Sequence, residues 1–239
     1  MVSDDNGSCT MVTADSLSSI QLFKALSPRT YRCLMEKSVL AGYSPGSDLY
    51  RQGDPPSGLF ALQSGRVKLY RQSRDKCQIL ALPMPGDCVG AESLPTGGLS
   101  PYSATALTPV MTIMLPADML QILLDEHPDF QEVFLCLITN RLKQFITLVH
   151  DLAFRHVTSR LATVLLSRAE IEGRQHESGG LIFDRLLSQQ EFADMVGTAR
   201  EVVYRTFKKF EDEGLVHLTR DTIIVPDPDA LRIISLQEA

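Results

Sequence analysis

Apolar positions along the chain switch between two spacings. From Ser18 they recur at helical intervals, with Ile20, Phe23, Leu26 and then Leu34. From about Ser38 to Leu115 the pattern is that of strands. Short runs rich in Val, Leu, Ile and Tyr are broken by Pro45-Gly46, Gly53-Asp54, Ser57-Gly58, Ser64-Gly65, Pro85-Gly86-Asp87 and Gly97-Gly98. Turn residues recurring this regularly predict an all-β barrel or sandwich. Residues 65–72 alternate, with Val67 and Leu69 on one face and Lys68 and Tyr70 on the other, whereas 78–84 read as a more continuously apolar strand. After Pro116 the helical period returns. A helix from Asp118 to Glu126 ends at His127-Pro128, because proline disfavours helix in the residue before it. A long helix from about Phe130 to Phe154 follows.

The long helix carries two apolar sets. Leu135, Ile138, Leu142, Phe145, Val149 and Leu152 are spaced 3, 4, 3, 4 and 3, the period of a coiled-coil seam. Phe130, Val133, Phe134 and Leu137 form the second set. One face is expected to cover the barrel and the other to meet a second copy; the alternative is an ordinary amphipathic helix packed on the barrel. Residues 1–17 have no apolar period and are expected to form a tail. Beyond Val157 the pattern reads as helix, a loop from Gly173 to Gly180, two short helices, and a hairpin from Val216 to Val225 closed by Pro226.

Those two short helices lie in LLSQQEFADMVGTAREVVYRTFKKFEDEGLV, residues 186–216. Ser188 with Glu191 reads as a capping box that opens the first helix. Gly197 stands where that helix must stop, since glycine takes the left-handed conformation cheaply. Thr198 with Glu201 reads as a second capping box. Two short helices joined through such a turn predict a helix-turn-helix. In the second helix Val203, Phe207 and Phe210 share a face to be buried, while Arg200, Glu201, Tyr204, Arg205 and Lys208 share the opposite one.

Charge sharpens this reading. The 239 residues carry a net charge of −6, yet residues 198–209 hold four basic groups against one acidic group. Positive charge is thus concentrated where double-stranded DNA would be met. Arginine bonds bidentately to O6 and N7 of guanine, and glutamate accepts from N4 of cytosine. Arg200, Glu201 and Arg205 are therefore the candidate base readers. Ser188, Gln189, Gln190, Thr198, Tyr204 and Lys208 are candidates for phosphate or flanking contacts.

The remaining composition is ordinary for a globular chain, with 44% hydrophobic and 22% charged residues. No apolar run approaches the length of a membrane span, and the polar first twenty residues lack the apolar core of a signal peptide. A cytoplasmic location and no membrane partner are expected. Five cysteines at 9, 33, 77, 88 and 136 are odd in number and widely spaced, which argues against disulfides and zinc motifs.

TAREVVYR, residues 198–205, resembles the recognition helix of the cyclic-AMP receptor protein and FNR (CRP/FNR) family of bacterial transcription regulators. YSPGSDLYRQGDPPSGLFALQSGRVKLY, residues 43–70, resembles its β-roll glycine framework, and LAFRHVTSRLATVLL, 152–166, its hinge and following helix. The resemblance implies an α+β chain: an N-terminal β-roll of the cyclic-nucleotide-binding jelly-roll kind, a long dimerisation helix and a C-terminal winged helix-turn-helix. It divides the chain into a tail (1–17), a roll (18–128), the dimerisation helix (129–155) and a DNA-binding domain (156–239). It also implies a homodimer on a palindromic site, with RNA polymerase as a further partner. The oxygen-sensing branch usually lacks arginine at the position of Arg200, so a TGTGA-like half-site is expected over a TTGAT-like one. Val202 and Tyr204 depart from the family pattern.

The roll departs more strongly. Family members that hold a cyclic nucleotide use an arginine followed by a small hydroxyl residue, just after a Gly-Glu pair. Here Gly90 is followed by Ala91, Glu92 is displaced by one, and Pro101, Tyr102 and Ser103 stand near the expected arginine. No Lys or Arg occurs between Lys76 and Arg141, and a buried phosphate without a cation is costly. Gly90, Glu92, Ser93 and Ser103 line the candidate effector pocket, but cyclic AMP is not expected there. An iron–sulfur cluster is not expected either, because Cys9 is the one cysteine in the tail. No cofactor is predicted. Haem on His127, His150 or Met84, Met111, Met114 or Met119 stays open as an alternative, as does a redox role for Cys88 and a pH-sensitive hinge at His156. A cupin-type enzyme is excluded by the lack of histidine in residues 1–126. A ligand-binding module whose helix-turn-helix serves protein contacts is the remaining rival.

Overall fold

The computed structural model describes residues 12–90, 92–177 and 179–237. The chain divides into two compact units: residues 1–72 with 81–143, and residues 73–80 with 144–239.

The first unit opens with α1 (Ala14–Ser18), a 3₁₀ turn (Gln21–Ala25) and α2 (Pro28–Lys37). Eight strands follow along the chain, β5 falling almost wholly in the second unit: β1 (Val39–Tyr43), β2 (Asp48–Tyr50), β3 (Gly58–Ser64), β4 (Val67–Ser73), β5 (Lys76–Ala81), β6 (Cys88–Val89), β7 (Ser103–Ala106) and β8 (Val110–Pro116). They form two four-stranded sheets, ordered β1-β8-β3-β6 and β2-β7-β4-β5. Tyr50 of the second sheet stacks on Phe60 of the first, with ring centroids 5.8 Å apart. Then come α3 (Ala117–Glu126) and the start of α4 (Pro128–Phe154).

The core lies between the first sheet and the helices. Leu59, Ala61, Ile113 and Leu115 meet Phe23, Leu34, Leu120 and Leu123 there. The apolar set Phe130, Val133, Phe134 and Leu137 of α4 is buried in the same core, as its spacing predicted. Val67 and Leu69 are buried and Lys68 and Tyr70 half-buried, as the alternation required. Asp129 ties α4 to α2: its carboxylate accepts from the Ser27 N–H at 2.7 Å and the Thr30 hydroxyl at 2.8 Å. Buried His127 shares the Thr30 hydroxyl through Nδ1 at 2.9 Å, a structural role rather than that of a free ligand.

The second unit contains α5 (Val157–Glu172), β9 (Arg174–Gln175), β10 (Leu181–Asp184), α6 (Gln189–Val196), α7 (Arg200–Asp212), β11 (His217–Leu218), β12 (Thr222–Val225) and α8 (Pro228–Ser235). Its sheet runs β11-β12-β10-β9, and its core joins Leu161 and Leu165 of α5 to Phe192, Phe207, Ile223 and Leu231.

Three expectations are corrected. The tail does not extend to residue 17, because Val12 and Leu17 are buried in the roll core; residues 1–11, including Cys9, lie outside the described residues. The expected loop 173–180 contributes β9, which pairs with β10 through Gln175 and Arg174; a two-residue strand is too short to leave a period in the sequence. The strand expected over 78–84 is Lys76–Ala81, since Pro83 cannot extend a ladder. Among the described residues no helix is long and apolar enough to cross a membrane.

Candidate nucleic-acid interface and roll pocket

The helix-turn-helix is built by its end groups. Ser188 caps α6: its hydroxyl accepts from the Glu191 N–H at 3.2 Å, and Glu191 accepts from the Ser188 N–H at 3.0 Å. Gly197 ends the helix at φ +67°, ψ +50°. A side chain there would meet Leu152 Cδ2 at 2.5 Å, so glycine answers both the backbone angle and the space. The Thr198 N–H then bonds back to Ala193 O at 3.0 Å.

The second capping box does not form. Ala199, not Thr198, is the N-cap of α7, and no side chain caps it. The turn places Thr198 one residue outside the helix, out of register with the N–H groups it was expected to satisfy.

The two faces of α7 separate as its sequence predicts. Val203, Phe207 and Phe210 are buried, with Thr206 beside them. Phe207 meets Phe192 of α6 edge to face at 5.2 Å between centroids, which holds the two helices together. Arg200, Glu201, Tyr204, Arg205 and Lys208 are exposed. Among the described residues none of these five charged or phenolic groups has an ion pair or hydrogen bond through its side chain.

Arg185, Ser188, Gln189, Gln190 and Arg200 line a cleft of about 490 Å³ at the start of α6. The expected contacts Ser188, Gln189 and Gln190 are thus brought together with Arg200. Sequence reasoning missed Arg185, whose backbone N–H bonds to Asp221 O and whose guanidinium donates to Thr219 O at 3.2 Å. A basic residue three places before a helix cap was the available signal.

On α4, Leu135, Leu142 and Val149 of the expected seam are exposed, and so is Ile146, which the 3-4 spacing did not include. Ile138 is half-buried against the roll core. Phe145 and Leu152 are also half-buried, Leu152 beside the Gly197 turn. The free apolar stripe is therefore shifted partly off the predicted seam. At the end of α4, Arg160 donates to Asp151 O at 3.3 Å and Leu152 O at 3.0 Å, while Arg155 pairs with Asp151 at 3.2 Å. His156 is the N-cap of α5, but its side chain caps nothing.

The candidate effector residues have separate tasks. Gly90, at φ +95°, leaves no room for a side chain: a Cβ would lie 2.8 Å from Phe60 and 2.9 Å from Gly58 O. The Ser103 hydroxyl accepts from the Gln52 N–H at 2.9 Å. The Ser93 hydroxyl is buried without a partner among the described residues. Glu92 is paired with Arg141 of α4, Nε to Oε1 3.6 Å. Cys88 is buried, and burial with the nearby Asp87 pushes its thiol up to about 12, so it stays protonated and unreactive at neutral pH. Among the described residues no group of three or more His, Cys, Asp or Glu side chains could hold a metal ion.

Residues 41–127 match the cyclic nucleotide-binding domain model, and residues 159–234 match the Crp-like helix-turn-helix domain model. The chain is 28% identical over 211 residues to the CRP-like cAMP-activated global transcriptional regulator of Mycobacterium tuberculosis, covering 88% of this chain and 94% of that protein. It is 31% identical over 192 residues to the global nitrogen regulator of Synechococcus elongatus, covering 79% and 86%. A transcriptional regulator of the crp/fnr family from Eubacterium rectale superposes with a TM-score of 0.75 at 18% identity, over 92% of this chain and all of that one. These relatives are transcription regulators and not enzymes. With its roll, its long helix and its helix-turn-helix in the expected order, this chain belongs to the CRP/FNR family of transcription regulators.

Proposed function

We propose that the protein is a homodimeric regulator that reads a palindromic, TGTGA-like DNA site through α7. The observation that carries this reading is the unengaged polar face of α7, where Arg200, Glu201, Arg205 and Lys208 stand exposed without intramolecular partners among the described residues. Arg200 and Glu201 occupy its first turn, the part of a recognition helix that enters the major groove. Arg205 lies little more than one turn on. Tyr204 and Lys208 flank these base readers and meet backbone or neighbouring bases. The cleft of Arg185, Ser188, Gln189, Gln190 and Arg200 suits a DNA phosphate, and Thr198, in the turn before α7, is a further candidate for such a contact.

Dimerisation is supported by the exposed stripe of Leu135, Leu142, Ile146 and Val149. Two copies packed two-fold along α4 bury that stripe against itself. Their recognition helices then bind when their separation matches one DNA turn, ~34 Å. A signal in the roll acts by biasing the packing of α4, through the hinge that Arg155 and Arg160 brace, toward or away from that separation. RNA polymerase follows as a partner from family membership, and a DNA-bound regulator of this family acts in the cytoplasm.

The family's cyclic nucleotide does not fit this roll. Among the described residues the candidate effector residue Glu92 is paired with Arg141, so a cation there is already held. Selection of binding sites from random duplex DNA tests the reading of α7. The expected product is a palindrome of TGTGA-like half-sites about one turn apart. Enrichment of TTGAT-like half-sites, or of no sequence, contradicts it.

A further inference from the structure

Four polar side chains meet in the interior of the roll. Arg141 is 8% exposed. Besides its ion pair with Glu92, it donates from Nη2 to Cys88 O at 3.2 Å, which anchors it to β6. Tyr102, 2% exposed, donates its hydroxyl to the same Glu92 oxygen that faces Arg141. Tyr50 packs between Phe60 and Tyr102. Burial, together with nearby Glu92, raises the pKa of both phenols, so each remains neutral.

Tyr102 stands near the place where the family's phosphate-binding arginine is expected. A phosphate entering here would have to take Arg141 from Glu92 and then lie beside the displaced carboxylate. Like charges this close in a partly dry site repel strongly. The arrangement therefore does more than omit a phosphate site: it supplies an anion of its own.

We propose that Glu92 is the internal ligand of the roll. Its carboxylate occupies the anion position, holds Arg141 inward and thereby sets the rotation of α4, so that a cyclic nucleotide is neither accepted nor needed. Arg141 immediately precedes Leu142, and neighbouring residues on an α-helix point about 100° apart. Holding Arg141 in the roll turns Leu142 outward, where it is found exposed. The consequence for DNA rests on the reading of α7 given above; the clamp itself does not.

The test uses the full-length protein with three readouts. Calorimetry with cyclic AMP and cyclic GMP is expected to give no binding heat, and stoichiometric binding of either would overturn the proposal. Thermal melts of E92Q, R141Q and the double variant are expected to be non-additive, the double variant being no less stable than the worse single one. Additive losses would overturn it. Tyr102→Phe keeps the ring and removes only the hydroxyl that binds Glu92. It guards against a folding failure in the charge variants, and its melting midpoint is expected to fall; an unchanged midpoint would count against Glu92 as a held ligand. In the third readout the wild type is expected to bind its DNA site without nucleotide and E92Q about tenfold more weakly. Binding that appears only on adding a nucleotide would overturn the clamp. A wild type that binds no DNA with or without nucleotide, with the melts still coupled and nucleotides still rejected, would refute the reading of α7 and support the clamp.

Discussion

Leu142 offers a direct test of the helix seam. Its side chain is 57% exposed, beside Leu135 at 66%, Ile146 at 60% and Val149 at 65%. Fully burying a leucine is worth ~1.5–3 kcal/mol. With a little over half of it still in water, pairing would recover ~1 kcal/mol or more per copy, and a two-fold seam counts each substitution twice. Alanine retains part of that area. Leu142→Ala should therefore weaken the dimer by ~1–3 kcal/mol, a rise in its dissociation constant of roughly 5- to 150-fold. Because the side chain is mostly exposed within one chain, the fold of each protomer should be little affected. Sedimentation velocity over a dilution series measures the constant, and far-ultraviolet circular dichroism checks the fold. A dimer unchanged by Leu142→Ala, or a wild type that stays monomeric at every concentration, would refute the seam.

The two predicted caps should separate in thermal melts. Ser188→Ala removes a formed box and should cost ~1 kcal/mol, whereas Thr198→Ala removes no cap and should change stability by less than ~0.5 kcal/mol; equal losses would contradict the N-cap at Ala199. Lys208→Ala should lower the slope of log affinity against log salt by ~1 without changing sequence preference, as measured by anisotropy across a salt series. Burial opposes ionisation of Asp129, but its bonds from Ser27 and Thr30 outweigh that and hold its carboxyl down at about 2. Its folded pKa lies below the unfolded value, so its contribution is present above ~pH 4 and lost as pH falls toward 2. Asp129→Asn should flatten that part of the acid-unfolding curve, and an unchanged curve would deny Asp129 the role of tie.

What the sequence made legible was whatever repeats or sorts locally. The buried face of α7 follows from the spacing of Val203, Phe207 and Phe210, and the inner face of α4 from Phe130, Val133, Phe134 and Leu137. Alternation in β4 found Val67 and Leu69. Single-residue register was less legible. The Thr198 box failed by one residue, because a tight turn sets its own phase through contacts that a periodic template does not contain; on α4 the exposed stripe takes in Ile146 beside half-buried Phe145. The short strand β9 was invisible, since its identity comes from its pairing with β10. The Glu92–Arg141 pair joins residues far apart in sequence. Lack of a nearby cation was visible from composition, but which distant cation would fill the gap was a matter of topology.

The exposed face of α7 is the proposed DNA reader. Anisotropy of the full-length protein on its selected palindrome, compared with Arg200→Ala, Arg205→Ala and the double variant, tests it most directly. A bidentate arginine–guanine pair carries ~1–3 kcal/mol of discrimination, so each single variant should lose specific affinity about 5- to 150-fold. The double variant should bind the palindrome no better than scrambled DNA. Neither arginine has an intramolecular partner among the described residues, so melting midpoint and dimer constant should stay at wild-type values. Specific affinity unchanged in the double variant would contradict the account.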